Sequence, residues 1–385
     1  MQPLDTPSLA EVREREFVIA REYTYLNAAS VGPWPVRTVR AVERAAASAQ
    51  FPNIAHAQIV PPAEPLARER LARLIGAHAE DIVFTANTTH GINLCAHGID
   101  WRPGDNVVVP DREFPSLMIT WAHLREHGVE VRFAPWAATA GPTVDEIMAA
   151  VDERTRAVSC SLIKWDTGYR VDLDELGRRC AERGCLLIVD AIQGVGAQRL
   201  DARAARVSAL ATHGYKWLMA GFGVGALYVA PEAVDQIRPT FAGHASVSGS
   251  ESAFEGEIRW RPGAARYAVG GGNAIGQAAL AASLSLIEEV GMNTIEEQGR
   301  ALAELFYDGL RRKGESLRIV SSPDPAHRTA ITTFTLGNAE RDGALVKELE
   351  AQGIIVALRP LGVRVSPHFY NSEAEIARLL DALPG

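Results

Sequence analysis

Lysine is scarce in this chain of 385 residues: among 39 basic side chains only Lys164, Lys216, Lys313 and Lys347 are not arginine. Arginine does not deprotonate in proteins, so chemistry that needs a free amine rests on one of these four. Cysteine is equally rare. Cys95, Cys160, Cys180 and Cys185 form no C-x-x-C pair, which excludes a dithiol motif and a dense disulfide scaffold. Cys160 and Cys185 lie in apolar, strand-like runs and read as small buried hydrophobes.

Long apolar runs are also missing. The longest, such as 185–189, fall far short of the roughly 20 residues a membrane helix needs. Basic residues are scattered among acidic ones and the net charge is −8, so no nucleic-acid footprint is expected. The segment Met1–Glu16 is polar and acidic, unlike a signal or transit peptide, and a cytoplasmic location is the default expectation. No metal site is expected.

What is present is a globular composition, 47% hydrophobic and 22% charged, in a chain long enough for a large core. From about residue 81, short β-branched runs alternate with helical stretches, which predicts an α/β fold with a mostly parallel sheet. Seven strands are expected at 81–86, 106–110, 130–134, 157–162, 186–190, 209–213 and 226–229, the last antiparallel. Helices are expected between them at 66–75, 90–96, 116–126, 173–182 and 202–206. After about residue 272 the pattern changes to two long helices, 274–290 and 295–313. Short strands at 331–335, 354–356 and 363–366 follow, with helices at 343–352 and 372–383. The expected division is a segment 1–20 packing on a small domain, a large domain 21–272, and a small α+β domain 273–385.

In an open α/β sheet, ligands collect beyond the carboxyl ends of the strands. The apolar run 186–190 ends there in Asp190, although an Asp in that place equally caps a following helix. In Ala211-Thr212-His213-Gly214-Tyr215-Lys216-Trp217-Leu218, an amine among aromatic and apolar side chains is costly to bury while charged. Its pKa should fall and its nucleophilicity rise; a surface lysine with its stem buried is the alternative. The glycines at 221, 223 and 225 precede a strand, whereas a dinucleotide fingerprint must follow one. Upstream, Thr85-Ala86-Asn87-Thr88-Thr89-His90 joins a strand end to a helix start. Backbone N–H groups and threonine hydroxyls there suit a phosphate, though threonine at a helix start is common.

Together these stretches resemble the fold-type I pyridoxal 5′-phosphate (PLP) enzymes, specifically the class V aminotransferase group. Cysteine desulfurases, kynureninases and isopenicillin N epimerase-like proteins belong to that group. The resemblance runs from Tyr25-Leu26-Asn27-Ala28-Ala29-Ser30-Val31-Gly32-Pro33 to Arg364-Val365-Ser366-Pro367-His368-Phe369-Tyr370-Asn371. It implies a Schiff base between PLP and Lys216, with Lys164 as the rival lysine. Asp190 would keep the pyridine nitrogen protonated so that the ring accepts electrons. Gln193 would bind the ring hydroxyl, and Thr88 and Thr89 the phosphate, assisted by His213 and Tyr215. Phe114 occupies the ring-stacking position and Trp165 would line the pocket. Arg364 would grip the substrate α-carboxylate, with Arg359 as fallback and Asn27 at the substrate end.

Two departures from the group's pattern matter. The stretch 358–370 contains no cysteine, which argues against desulfuration through an enzyme persulfide. The loop Tyr267-Ala268-Val269-Gly270-Gly271-Gly272-Asn273 matches one that reaches a partner subunit's phosphate, but Gly271 stands where a hydroxyl is usual. A contact there would come from backbone N–H groups or Asn273. The resemblance thus implies a homodimer with active sites near the subunit interface, acting at Cα of an amino-acid substrate as an aminotransferase or β-lyase. Epimerase-like chemistry and kynureninase-like cleavage, the latter favoured by Phe114 and Tyr215, are the alternatives. A PLP-binding protein without turnover is the alternative of another class.

Overall fold

The computed structural model describes residues 8–51, 63–137, 140–249 and 256–384. The chain enters through helix α1 (Leu9–Glu16), the two-residue strand β1 (Thr24–Tyr25), α2 (Val36–Ser48) and α3 (Ala63–Leu74). A seven-stranded sheet follows: β2 (Ile82–Thr85), β3 (Asn106–Pro110), β4 (Glu130–Ala134), β5 (Thr155–Ser161), β6 (Leu186–Asp190), β7 (Ala209–His213) and β8 (Gly225–Val229). Its spatial order is β2-β8-β7-β6-β5-β3-β4. The pairs β3/β4, β3/β5, β5/β6 and β6/β7 are parallel, and only β8 runs against its neighbours. Helices α4 (Thr88–Gly98), α5 (Pro115–His123), α6 (Val144–Met148) and α7 (Leu173–Arg183) connect these strands.

The expected mixed sheet with one reversed strand is therefore the sheet that forms. Its inner strands bury every residue, as in β6 and β7, which is how a parallel sheet covered on both faces reads. The predicted helix at 202–206 does not form. Asp201 accepts the N–H groups of Arg203 at 3.1 Å and Ala204 at 2.8 Å, and Arg206 takes a left-handed φ of 53°, so the segment closes as turns.

Beyond the sheet run α8 (Ala274–Val290) and α9 (Met292–Arg312). A four-stranded antiparallel sheet, β12-β13-β10-β9, comprises β9 (Arg318–Ile319), β10 (Thr332–Thr335), β12 (Ala357–Arg359) and β13 (Gly362–Val365). Helices α10 (Ala339–Ala351) and α11 (Glu373–Ala382) accompany it. Strand β11 (Ile354–Ile355) pairs with β1 in parallel and draws the N-terminal segment onto this second sheet. Packing gathers into two clusters. The larger surrounds the main sheet and continues through α8 to Ile295, while the smaller joins Leu26 to apolar residues from Leu302 onward. Among the described residues no helix is long and apolar enough to cross a membrane.

Candidate active site

At the carboxyl edge of the main sheet, a cavity of about 240 Å³ opens among α4, the start of α5, and the ends of β6 and β7. Asp190 ends β6 and projects into it, 7% exposed, with Oδ1 accepting the Ile192 N–H at 3.0 Å. Lys216, in the turn after β7, lies opposite at 6% exposure, its Nζ 5.5 Å from the Tyr215 ring centre and 5.7 Å from that of Phe114. Burial drives both groups toward neutrality, raising the carboxyl and lowering the amine, and their attraction offsets this only in part. The lysine is further depressed by the charges of Arg364 and Arg359.

The cavity floor is the start of α4. Asn87 caps that helix by accepting the His90 N–H at 2.8 Å. The N–H groups of Thr88 and Thr89 then point out of the first turn, where no helix carbonyl can satisfy them. The Thr88 hydroxyl is buried without a partner. Such an orphaned donor at a positive helix end suits a phosphate, so these residues fit the phosphate group of PLP.

His213 accepts the Gly223 N–H on Nε2 at 3.1 Å, and burial together with Lys216 presses its pKa down to about 4. It is therefore a neutral imidazole with its proton on Nδ1. Its ring meets Tyr215 edge-on at 4.6 Å, and Tyr215 stacks on Phe222. Phe114 and Trp165 contact each other edge to face at 5.5 Å, and the Trp165 indole N–H is buried without a partner. Gln193 lies beneath, donating to the Ala29 carbonyl at 3.1 Å and accepting from the Trp217 indole at 2.8 Å.

Lys164 does not reach this cavity. It is fully buried, donates to the Arg112 carbonyl at 2.5 Å and lies 3.8 Å from Glu113. Glu113 in turn accepts from the Ser161 N–H at 3.0 Å and hydroxyl at 2.7 Å. The buried pair pins the loop that carries Phe114 to the end of β5.

On the side of the second sheet, the β12–β13 hairpin brings Arg359 and Arg364 together. Both donate to the Ser30 hydroxyl, at 2.6 Å and 2.7 Å, and that hydroxyl donates to Asn27 Oδ1 at 2.6 Å. Arg364 is 1% exposed, also donates to the Trp165 carbonyl at 2.6 Å, and leaves Nε unpartnered. No carboxylate forms an ion pair with either guanidinium among the described residues. Burial opposes the protonation of both, and at Arg364 the charge of Arg359 adds to this while Asp166 offsets it in part; a guanidinium keeps its charge, so the site holds positive charge that no ion pair neutralises. Ser30 was not singled out by sequence reasoning; its only signal was a hydroxyl beside Asn27 in the N-terminal motif.

Gly271 and Asn273 stand apart, on a different depression. Asn273 caps α8, accepting the Gly276 N–H at 2.9 Å and donating to the Gly223 carbonyl at 3.0 Å. A Cβ at Gly271 would meet nothing within 4 Å. All four cysteines are buried, none in the cavity wall.

Residues 64–379 match the aminotransferase class-V family. A probable cysteine desulfurase of Methanothermobacter thermautotrophicus is 32% identical over 96% of each chain. An isopenicillin N epimerase of Amycolatopsis lactamdurans is 29% identical over 94% of each. Among solved structures, the cystine C-S lyase C-DES bound to its product cysteine persulfide superposes with a TM-score of 0.84 at 26% identity, covering 93% of this chain and 96% of that one. A second structure of C-DES carries glycine covalently linked to the PLP cofactor. A buried lysine facing a buried carboxylate above an unpaired helix start thus has its counterpart in known chemistry: the chain belongs to the class V aminotransferase family and is a PLP-dependent enzyme.

Proposed function

We propose that this chain is a PLP-dependent lyase that expels a sulfur substituent from Cβ of an L-cysteine-type amino acid without passing the sulfur to an enzyme thiol. The observation that carries the reading is the Arg359–Arg364 pair. One buried and one half-buried guanidinium share one hydroxyl and form no ion pair with a carboxylate among the described residues, within electrostatic reach of Lys216. A substrate α-carboxylate supplies the missing anion, and a fork-shaped contact fixes which Cα bond faces the lysine.

When bound, PLP supplies an aldehyde for amines and a ring that accepts the electron pair released at Cα. Asp190 holds a proton on the ring nitrogen. Gln193 would hold the ring hydroxyl, and Phe114 and Trp165 would pack about the ring. Thr88, Thr89 and the first turn of α4 hold the phosphate, with His213 and Tyr215 closing that end. Lys216, its amine pKa lowered by burial to about 7, would anchor the cofactor and take the proton from substrate Cα at Nζ. Asn27 orients Ser30 and through it both arginines.

The likeness to the cystine C-S lyase and the burial of all four cysteines support elimination in which the sulfur leaves directly. Exposed Phe222, Phe241, Val269 and Ile275 surround the Gly271–Asn273 loop and support a homodimer through that face. Composition supports a cytoplasmic location. The test is to supply holoenzyme with L-cystine and with S-substituted cysteines. Pyruvate should form in step with released persulfide or thiol. Accumulation of pyridoxamine phosphate without pyruvate would overturn the reading in favour of transamination, and Cα inversion without pyruvate in favour of epimerisation.

A further inference from the structure

Three histidines meet on the outer surface, away from the cofactor cavity. His97 lies in the last turn of α4, His123 ends α5, and His127 ends the single helical turn Leu124–His127 that continues α5. Their ring centres form a near-equilateral triangle with sides of 5.5 Å (His97–His123), 5.9 Å (His97–His127) and 5.5 Å (His123–His127). Three imidazoles bound tetrahedrally to one ion at Zn–N of about 2.1 Å place their ring centres roughly 5 Å apart. His127 ends a 3-10 turn rather than lying one α-helical turn beyond His123, so the ring distances and not the sequence spacing carry the geometry.

We propose that His97, His123 and His127 form a binding site for a divalent cation of the zinc class, with Glu126 able to fill the fourth position. The Glu126 carboxylate lies 3.6 Å from His123 Nδ1. Among the described residues no group of three such side chains is placed to hold an ion as it stands. His123 is about half exposed and His127 is exposed, so rotation of these two side chains closes the site around the more fixed His97. Arg125, the nearest cation in sequence, turns away: it donates to the Val131 carbonyl at 3.1 Å and lies over the Phe133 ring. Imidazole donors suit zinc, nickel and copper rather than magnesium or calcium.

The site lies nine residues along α4 from Thr88, roughly 13 Å at the helical rise. It therefore stands independently of the cofactor chemistry. Isothermal titration of the holoenzyme with zinc chloride at pH 7.5 should reveal one saturable ion per chain. Affinity should fall at least about tenfold in His97→Ala and in His127→Asn, with the visible absorbance of the bound cofactor unchanged. Loaded with cobalt(II), the wild type should show the strong visible bands of a tetrahedral centre and His127→Asn should lose them. Because His127 is exposed, its replacement leaves the fold intact. Absence of a saturable ion, or binding equally tight in His127→Asn, overturns the proposal.

Discussion

Replacing Arg364 by methionine tests the carboxylate clamp most directly. Methionine keeps most of the buried stem volume while removing the guanidinium that donates to the Trp165 carbonyl and to Ser30. Ser30 retains its contact from Arg359 at 2.6 Å, so the loop stays tethered. A charged hydrogen-bonding contact contributes about 1.5–3 kcal/mol, equivalent to a loss of roughly 10- to 150-fold in kcat/KM. The comparison that isolates it uses L-cystine against cystamine, which lacks the α-carboxylates. The wild type should prefer cystine, and the variant should lose activity on cystine while keeping its lower rate on cystamine. A second consequence follows from the charge itself. Arg364 helps to depress the Lys216 amine, so its removal should move the pH profile of PLP capture by cofactor-free enzyme to higher pH. An equal loss on both substrates with an unmoved pH profile would refute the clamp and leave Arg364 a merely structural residue.

The amine of Lys216 is held below the ordinary lysine value of 10.5 by burial. Since only the unprotonated amine reacts, capture of added PLP by cofactor-free enzyme should rise with pH and level off well below 10.5; a rate still climbing there contradicts the burial argument. Cys160→Ala and Cys185→Ser should leave pyruvate formation from L-cystine within about twofold, since both thiols are buried outside the cavity wall; loss of turnover with retained cofactor absorbance would point back to an enzyme persulfide. Gly32→Ala should loosen the cofactor, because a Cβ there would stand 2.0 Å from the Lys216 carbonyl and overpacking of this kind costs about 1–3 kcal/mol. Thermal unfolding followed with and without PLP measures that loss, and an unchanged cofactor affinity would show that the lysine turn moves freely.

Much of the main sheet was legible in the residue pattern alone. The limits expected for β3, β4, β6 and β7 are those observed: β3, β6 and β7 are buried throughout and read as short, nearly continuous apolar runs, while the edge strand β4 alternates polar and apolar residues over its first four positions. Asp190, Lys216 and the Thr88–Thr89 turn stood out for the same reason: each is polar chemistry at the end of an apolar strand or the start of a helix. The turn at 201–206 was misread because a short alternation of Ala and Arg fits a helix until the Asp201 side chain captures the backbone instead.

What the sequence determined, then, was the order of strands and helices and the chemical character of the groups at their ends, since both follow from local periodicity and burial. Tertiary structure decided which distant groups share an atom. Ser30 joins Arg359 and Arg364 across more than 300 residues, Gly32 lets the N-terminal segment lie against the turn of Lys216, and Asn273 caps a helix outside the cavity. The three histidines form a triangle only because α4 and α5 pack side by side. Such meetings depend on where the folded chain returns, and hydrophobic periodicity encodes which face is buried but not which distant side chain will lie against it.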